Sequence, residues 1–575
     1  MEEKKSFNGP EIWGGIECTI NRVGDEYKDQ LKYSGHYDRS GDLEAIAHLG
    51  IRTIRYPVLW EKHQPQNRNF HWEWTDKQMH NIRALGMKPI VGLLHHGSGP
   101  GNTNLLDPQF PYLLASYAYD VASRFPWVED YTPVNEPLTT ARFSGLYGLW
   151  YPHHKNERSF YRMLLNQLKA TVLSMEAIRF VNPAARLIQT EDLGKTYSTP
   201  FMSYQADFEN DRRLLTFDIL TGRLQSGHPQ YNYMLGCGIT EGEMDFFQEH
   251  QCEPDILGLN YYVTSERWLD ESYENYPHHT HGGNGIHKYA DTEAVRANLS
   301  TRQGFKKLAK EIWNRYQTPM AVTECHIHCT REEQMRWFKE VWDNAISLSM
   351  EGIPVQGVTA WALIGSFDWD TLLTKTGSQY ESGVFDIKTF AGKLRPTALA
   401  KLLKSLAAGE TNYHPVLSAL GWWHDPSQIK SNSGRPVVVR KGKAGDRVDR
   451  ININDISALL VSACDHRRIP IIVYNNPDEA DVEKQNPWAI INLGMNGNRL
   501  KSTCQYKHVQ NVSICNEEPD QSDLHIVIEQ MPVTIHQVNK ILDLMIDGDE
   551  GCWVFSSDGM VFKTEYVKDG QSIAD

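Results

Sequence analysis

Short apolar runs alternate with stretches of helical periodicity along residues 11–362. The apolar runs end at glycine, proline or polar residues, as strands buried on both faces of a parallel sheet do. The stretches between them carry apolar residues at spacings of three and four, which predicts amphipathic helices. The predicted strands are residues 11–18, 51–57, 87–94, 127–134, 185–191, 255–262, 318–324 and 354–362. The predicted helices are residues 42–49, 76–85, 111–124, 159–180, 301–316 and 331–350.

Eight strands separated by helices predict an α/β protein, a (β/α)8 TIM barrel with a second, smaller C-terminal α/β domain. An open, doubly wound sheet is the alternative, but no early G-x-G-x-x-G segment supports it. We expect the barrel to span residues 1–410, with a closing helix over 395–408. A connector would follow over 411–433, and the small α/β domain would cover 434–575.

Two connections are long for a barrel, residues 193–250 and 263–300. Long loops at the C-terminal face of a barrel commonly shape its site, although a plain surface excursion explains them equally well. In the C-terminal part, the same patterns predict short strands and two helices. The strands are residues 436–439, 471–474, 488–493, 524–528 and 551–555, and the helices are 453–466 and 536–546.

Composition narrows the class of protein. A net charge of −14 argues against nucleic acid and against an anionic membrane as partners, because an acidic surface attracts neither. The first ten residues contain no apolar signal core, and no apolar run reaches the ~20 residues of a membrane helix. The nine cysteines are scattered and odd in number, which favours reduced thiols and a cytoplasmic protein.

Residues 325–329, Cys-His-Ile-His-Cys, resemble a set of metal ligands. Alternating residues of an extended segment point to different faces, and no second cluster completes four ligands. We therefore expect no metal and no cofactor.

Two carboxylates close predicted strands. Glu136 ends the segment Thr132–Glu136, where Pro137 stops the strand, and Glu324 ends Met320–Glu324. The C-terminal ends of barrel strands are where such folds carry their chemistry. Two carboxylates placed there are the minimum equipment for glycoside hydrolysis.

The motifs around these residues occur in the order found in glycoside hydrolase family 1, the β-glucosidase family, which residues 1–410 resemble. Thr132–Pro137 is similar to the family's T-x-N-E-P segment, which implies Glu136 as the acid/base and Asn135 as donor to the sugar 2-hydroxyl. Val322–Glu324 is similar to the family's I/V-T-E-N-G segment, which implies Glu324 as the nucleophile. The resemblance implies further sugar-binding or positioning roles for Glu17, Arg55, His95, Tyr262, Trp361, Asp368 and Trp369.

The chemistry requires one ionised and one protonated carboxyl group. Arg55 would lower the pKa of Glu324, and the charge of Glu324 would raise the pKa of Glu136. Trp361 and Trp369 would form an apolar floor for the sugar, with polar groups at its edges.

The chain departs from the family's pattern at positions that touch the sugar. Glu17 replaces a glutamine and offers only acceptors when ionised, His96 replaces a tryptophan, and Asp368 replaces a longer glutamate. Cys325 and His326 stand where an Asn-Gly pair follows the nucleophile. The departures concern recognition, so they leave the sugar and the linkage open.

Residues 434–575 faintly resemble sugar-nucleotide reductases of the dehydrorhamnose type. Residues 441–445 lack the glycines of a dinucleotide fingerprint, which favours a reduced remnant used for packing or oligomer contacts. We expect a retaining exo-β-glycosidase that acts on a small carbohydrate. The sequence leaves open whether the protein forms a homo-oligomer. The alternatives are a transglycosylase, a non-catalytic sugar-binding barrel, and a bifunctional enzyme with a reductase domain.

Overall fold

A computed structural model describes most of the chain in two compact units. The first unit comprises residues 1–327 and 337–385, and the second comprises 328–336 and 386–575. The described residues are 9–64, 71–377, 379–387, 393–411, 413–424, 435–441, 453–475, 479–493, 509–515, 523–528, 533–556 and 559–563. The first eight residues and residues 442–445 of the fingerprint comparison lie outside them.

The first unit contains a closed barrel of eight parallel strands. Each strand pairs with its neighbours in chain order, and the first pairs with the eighth, so the predicted TIM barrel is confirmed. All eight predicted strands are present. They are β1 (Glu11–Gly15), β2 (Thr53–Pro57), β3 (Lys88–His95), β4 (Asp130–Asn135), β5 (Arg186–Asp192), β6 (Ile256–Tyr261), β7 (Met320–Cys325) and β8 (Val355–Ala360).

The six predicted helices follow the strands with small shifts at their ends. They are α1 (Asp42–His48), α2 (Glu73–Ala84), α3 (Phe110–Arg124), α4 (Glu157–Val181), α5 (Phe305–Tyr316) and α6 (Arg331–Met350). The interior of the barrel contains a cluster of buried side chains from five of its strands, namely Trp13, Ile90, Ile188, Ile256 and Ala321. Polar side chains such as Asn135 and Asp192 lie at the carboxyl ends of the strands, where barrels of this kind carry their chemistry.

The two long connections fold into structure of their own. A four-stranded sheet forms from Lys195–Ser198 in the first connection and three strands in the second. These three are Glu266–Asp270, His281–Gly283 and Lys288–Glu293. The first connection also contains the helices Ser203–Arg212, Leu215–Leu220, Tyr231–Gly236 and Glu241–Glu249.

The second unit contains a seven-stranded sheet, parallel except at one edge. Its strands are β9 (Val437–Lys441), β10 (Ile471–Asn475), β11 (Ala489–Leu493), β12 (Gln510–Cys515), β13 (Leu524–Ile528), β14 (Gly551–Ser556) and β15 (Gly559–Lys563). They lie in the order β10-β9-β11-β12-β13-β14-β15, with β15 antiparallel to β14. The helices are α7 (Ala398–Ala407), α8 (Ile453–His466), α9 (Glu479–Lys484) and α10 (Ile535–Asp547). The prediction missed β12, β15 and α9.

Buried ion pairs hold the second unit together. Arg467 donates to Glu332 through Nε at 3.0 Å and through Nη2 at 2.5 Å, with side-chain exposures of 2% and 0%. Arg395 donates to Asp547 at 2.9 Å in the same interior. Such pairs tie distant parts of the chain together, because removing one partner leaves a buried charge without compensation.

Candidate active site

The ends of β4 and β7 place Glu136 and Glu324 at the carboxyl end of the barrel. The strand β4 ends at Asn135, and Glu136 follows with φ of 43° before Pro137 begins a short helix. This left-handed conformation is unusual for a residue with a side chain and is frequent at functional positions. Both carboxyl groups are buried, with 6% and 3% of each residue exposed.

Glu324 is held by two donors. Arg55, on β2, donates from Nη1 to Oε1 of Glu324 at 2.9 Å and to the carbonyl oxygen of Thr323 at 2.6 Å. Tyr262 donates from its hydroxyl to Oε2 of Glu324 at 2.5 Å. Burial and the charge of Glu324 raise the pKa of Tyr262 far above its usual range, so the hydroxyl keeps the proton that it donates. Each oxygen of Glu324 therefore has a fixed donor.

Asn135 is oriented by the same arginine. Its Oδ1 accepts from Nη2 of Arg55 at 2.7 Å and from Oγ1 of Thr190 at 2.8 Å. These two bonds assign the oxygen, so the amide nitrogen faces the other way, 3.2 Å from Nε2 of His95. The amide N–H groups of Asn135 are thus turned towards the histidines that border the site.

Asn260 holds the carboxyl group of Glu136, a role that the sequence analysis missed. Its Nδ2 donates to Oε1 of Glu136 at 2.6 Å, and its Oδ1 accepts from Oγ1 of Thr323 at 2.7 Å. A hydrogen bond from Asn260 also lowers the pKa of Glu324. Its position in the Asn260–Tyr262 segment, which matches the family's N-Y-Y, was the signal that could have identified it.

The two carboxyl groups differ in how strongly they hold a proton. Burial raises the pKa of Glu136 far above its usual value, and the charge of Glu324 raises it further. Burial also raises the pKa of Glu324, but Arg55 and Tyr262 oppose that effect. Arg55 lowers the pKa of Glu324, as expected, but the loss of solvation outweighs the guanidinium, so the net shift is upward. The proton is nevertheless held more firmly by Glu136.

Trp361 forms one wall with Glu17 and His95. Its ring stacks on the His95 imidazole at 5.3 Å between centroids, and Arg55 lies 4.7 Å from its centre. The indole Nε1 donates to Oε2 of Glu17 at 3.1 Å, and Oε1 of Glu17 accepts from the backbone N–H of Thr19 at 2.9 Å. Burial raises the pKa of Glu17 to about 7. Glu17 is therefore not the pure acceptor that the sequence suggested, because near neutral pH a part of it carries a proton.

His96 replaces a tryptophan with a neutral imidazole. Burial and the charge of Arg55 lower the pKa of His96 to about 3. Its Nδ1 lies 2.9 Å from Oγ1 of Thr140, and its Nε2 lies 3.7 Å from Oε2 of Glu136. Trp369 packs edge-on against it at 5.7 Å, and Trp150 packs at 5.3 Å. His96 therefore connects this aromatic wall to Glu136.

Asp368 is turned towards its own loop. Its Oδ2 accepts from the backbone N–H of Gly377 at 2.9 Å, and its Oδ1 accepts from that of Gln379 at 3.2 Å. Only 2% of the residue is exposed. The carboxylate thus stabilises the loop.

Two further acids lie at the end of β5, and the sequence analysis missed both. Oε2 of Glu191 accepts from Oγ1 of Thr216 at 2.7 Å and from the backbone N–H of Leu138 at 2.9 Å. Oδ1 of Asp192 accepts from Oγ of Ser265 at 2.5 Å. Burial raises the pKa of Glu191 to about 7 and also raises that of Asp192. Their charges add to the effects that raise the pKa of Glu136.

Three features are absent from the residues that the structure describes: a metal-binding cluster, a disulfide and a membrane-spanning helix. Within them, no group of three or more His, Cys, Asp or Glu side chains is arranged to hold a metal ion. No disulfide joins the seven cysteines whose side chains the structure describes. The helices in the described ranges include none that is long and apolar enough to cross a bilayer.

Comparison with known proteins adds independent information about this barrel. The sequence profile of glycosyl hydrolase family 1 matches residues 8–380. Beta-glucosidase A of Thermotoga maritima is 20% identical over 397 residues, which cover 63% of this chain and 84% of the Thermotoga protein. A structure of the family 1 β-glucosidase from Thermotoga maritima covers 70% of this chain and 98% of its own, with a TM-score of 0.56 at 15% identity. A structure of β-glucosidase from the same organism in complex with glucoimidazole gives a TM-score of 0.56 at 16% identity, covering 70% of this chain and 100% of its own. At these identities the structural likeness establishes a shared fold.

Proposed function

This chain belongs to glycosyl hydrolase family 1 and is a glycoside hydrolase, and we propose that it acts as a retaining exo-β-glycosidase. Its substrates would be small β-glycosides, as the names of its β-glucosidase relatives suggest. The observation that carries the proposal is that Glu136 and Glu324 are both buried at strand ends, where the charge of Glu324 raises the pKa of Glu136.

In the first step, Glu324 attacks the anomeric carbon of the sugar and Glu136 gives its proton to the departing glycosidic oxygen. The hydrogen bonds from Arg55 and Tyr262 support this assignment, because they hold the Glu324 carboxylate in one orientation and favour its ionised form. The strongly raised pKa of Glu136 supports its role as the acid.

In the second step, the covalent glycosyl-enzyme reacts with water. Bond formation removes the charge of Glu324, which is one cause of the raised pKa of Glu136. Glu136 then ionises more easily and accepts a proton from the attacking water. If a sugar hydroxyl takes the place of water, the same intermediate yields transglycosylation, so this alternative uses the same two residues.

The other residues that the family resemblance singled out would bind the sugar. Trp361 and Trp369 would supply apolar surface, while His95, Asn135 and Glu17 would supply polar edges. Asp368 would contribute less than the longer glutamate of the family, because its oxygens already accept from backbone N–H groups. The site would need no metal or cofactor for this chemistry, since both proton transfers are made by its own carboxyl groups.

The test is release of nitrophenol from a panel of aryl β-glycosides by wild type, Glu136→Ala and Glu324→Ala. We expect release by wild type on at least one sugar and a loss of at least about 10²-fold in both variants. Activity that survives in Glu324→Ala would contradict the nucleophile assignment. A wild type that binds free sugars but cleaves none of the glycosides would favour the non-catalytic alternative.

For residues 434–575 we propose a reduced reductase-like remnant that serves packing or oligomer contacts. The largely parallel sheet with β9 between β10 and β11 supports a relation to doubly wound folds. Titration of the full chain with NADPH tests this proposal. Saturable binding would revive the bifunctional alternative.

A cytoplasmic location remains part of the proposal and agrees with the absence of disulfides among the described cysteines.

A further inference from the structure

Arg142 follows Glu136 by six positions and occupies an unusual piece of backbone. The short helix Pro137–Ala141 begins directly after Glu136 and continues into a π-helical turn, Arg142–Leu146. Turns of this kind are rare and are found frequently at functional sites. The Arg142 side chain is half-buried at the start of this turn.

The guanidinium of Arg142 has no protein partner among the residues that the structure describes. It makes no hydrogen bond there, and no described carboxylate lies within 4 Å of it. Its neighbour Arg212 differs in this respect, because Arg212 donates to Glu209 at 2.6 Å. A partly desolvated guanidinium is stabilised by an anion, and here the protein supplies none in direct contact.

Arg142 lies within the electrostatic reach of the acids at the end of β5. Asp192 is close enough for its charge to act on both Glu136 and Arg142. The charge of Arg142 acts in turn on Glu191 and Asp192. The hydrogen bonds of the helix point the same way, because it begins directly after Glu136 and its Leu138 N–H donates to Glu191, the neighbour of Asp192, at 2.9 Å. Arg142 follows Leu138 by about one helical turn, so it belongs to the side of the site where Glu136 would protonate the glycosidic oxygen of the leaving group.

We propose that Arg142 binds a carboxylate carried by the leaving group of the substrate. This inference rests on the proposed function, because it assigns the leaving-group side from the role of Glu136. A guanidinium fork matches the two oxygens of a carboxylate. A dianion fits less well, since Asp192 and Glu209 lie nearby and Arg212 is already paired.

The local charge agrees with this ligand. The whole chain carries a net charge of −14 and would repel an anionic substrate. Residues 142–162 nevertheless contain four arginine or lysine residues and one acidic residue. The segment after β4 is thus locally basic in a chain that is acidic overall.

The first test measures binding and needs no turnover. The full chain is titrated with 4-hydroxybenzoate and with 4-hydroxybenzamide, which differ only in the carboxylate. Wild type should bind the benzoate about tenfold more tightly or better, as expected for hydrogen bonds to a charged group. In Arg142→Gln the two affinities should become equal, and Arg142→Lys, which keeps the charge but loses the fork, should fall between.

Arg162→Gln is the matched control. Arg162 lies on the same basic segment and already pairs with Glu243 at 3.6 Å, so its loss should leave the benzoate preference in place. Equal binding of benzoate and benzamide by wild type would overturn the inference. A preference that survives unchanged in Arg142→Gln would overturn it as well.

The second test separates this inference from the proposed function. The ratio of kcat/KM for 4-carboxyphenyl and 4-carbamoylphenyl β-glycosides is compared between wild type and the variants, which cancels the intrinsic difference between the two leaving groups. A ratio that falls about tenfold in Arg142→Gln alone supports the carboxylate site. If wild type and all variants cleave both glycosides with the same ratio of kcat/KM, the carboxylate site is contradicted and the glycosidase assignment stays intact. Selective benzoate binding without cleavage supports the site and contradicts the glycosidase assignment.

Discussion

Removing the hydroxyl of Tyr262 tests how the site controls Glu324. In Tyr262→Phe, Oε2 of Glu324 loses its 2.5 Å hydrogen bond, while Arg55 still contacts Oε1. A hydrogen bond to a charged group in a protein contributes about 1.5–3 kcal/mol. If this bond holds the nucleophile in its attacking orientation, kcat/KM should fall about 10- to 100-fold.

The change should also appear in the pH dependence. Tyr262 lowers the pKa of Glu324, so its loss should raise that pKa and move the acid limb of kcat/KM to higher pH. Initial rates of nitrophenol release across the pH range give both quantities at once. The measurement uses the aryl glycoside that wild type cleaves best.

Tyr261→Phe is the control for the loss of a buried tyrosine hydroxyl. The hydroxyl of Tyr261 donates to Oε1 of Glu266 at 2.9 Å, and its loss should lower stability without moving the acid limb. A Tyr262→Phe enzyme with wild-type kcat/KM and an unmoved acid limb would refute the reasoning. An equal shift in Tyr261→Phe would refute it too, because the effect would then be general.

Three further outcomes follow from the structure. Arg55→Lys keeps the charge but cannot reach both Glu324 and Asn135, so kcat/KM should fall at least about tenfold in the same assay, and unchanged kinetics would contradict the role of the fork. Burial raises the pKa of Glu61 from 4.5 to about 7, so the folded state holds a proton that the unfolded state loses, and stability falls as the pH rises through this window. Relative to wild type, Glu61→Gln should therefore gain up to about 3 kcal/mol of stability as the pH rises from 4.5 to above 7. Thermal denaturation of both proteins at each pH measures this gain, and an equal stability difference at the two pH values would contradict it. Glu332→Ala removes the Glu332 partner of Arg467 but leaves Asp543 at 2.7 Å, so the free energy of unfolding of the second unit should fall by about 3 kcal/mol, the lower end of the cost of breaking a buried pair. Denaturant titrations measure this loss, and a value below about 1 kcal/mol would show that the pair contributes little.

The barrel was predictable because its strands are short apolar runs between polar boundaries, and all eight occur where the pattern placed them. The second unit was harder to predict. The strand β12 alternates polar and apolar residues, and β15 is an edge strand with three apolar residues, 560–562, so neither stands out as a long apolar run.

The site was predictable where a motif ends a strand, as at Glu136 and Glu324. It was less predictable where contacts come from other strands. Asn260 was visible in its motif, but its bond to Glu136 depends on how β4 and β6 approach each other. To predict the pKa of Glu324 one must know how deeply the side chain is buried, and a sequence motif does not contain that information. The turn of Asp368 into its own loop likewise depends on backbone conformation.

Trapping of a covalent intermediate tests the central claim most directly. A 2-deoxy-2-fluoro β-glycoside with a good leaving group slows the second step more than the first, so the glycosyl-enzyme should accumulate. Peptide mass mapping should then find one sugar on the peptide that contains Met320–Cys325, attached at Glu324. Accumulation should be lost in Glu324→Ala. A label on another carboxylate, or a product of inverted anomeric configuration without any labelled peptide, would contradict the retaining mechanism through Glu324.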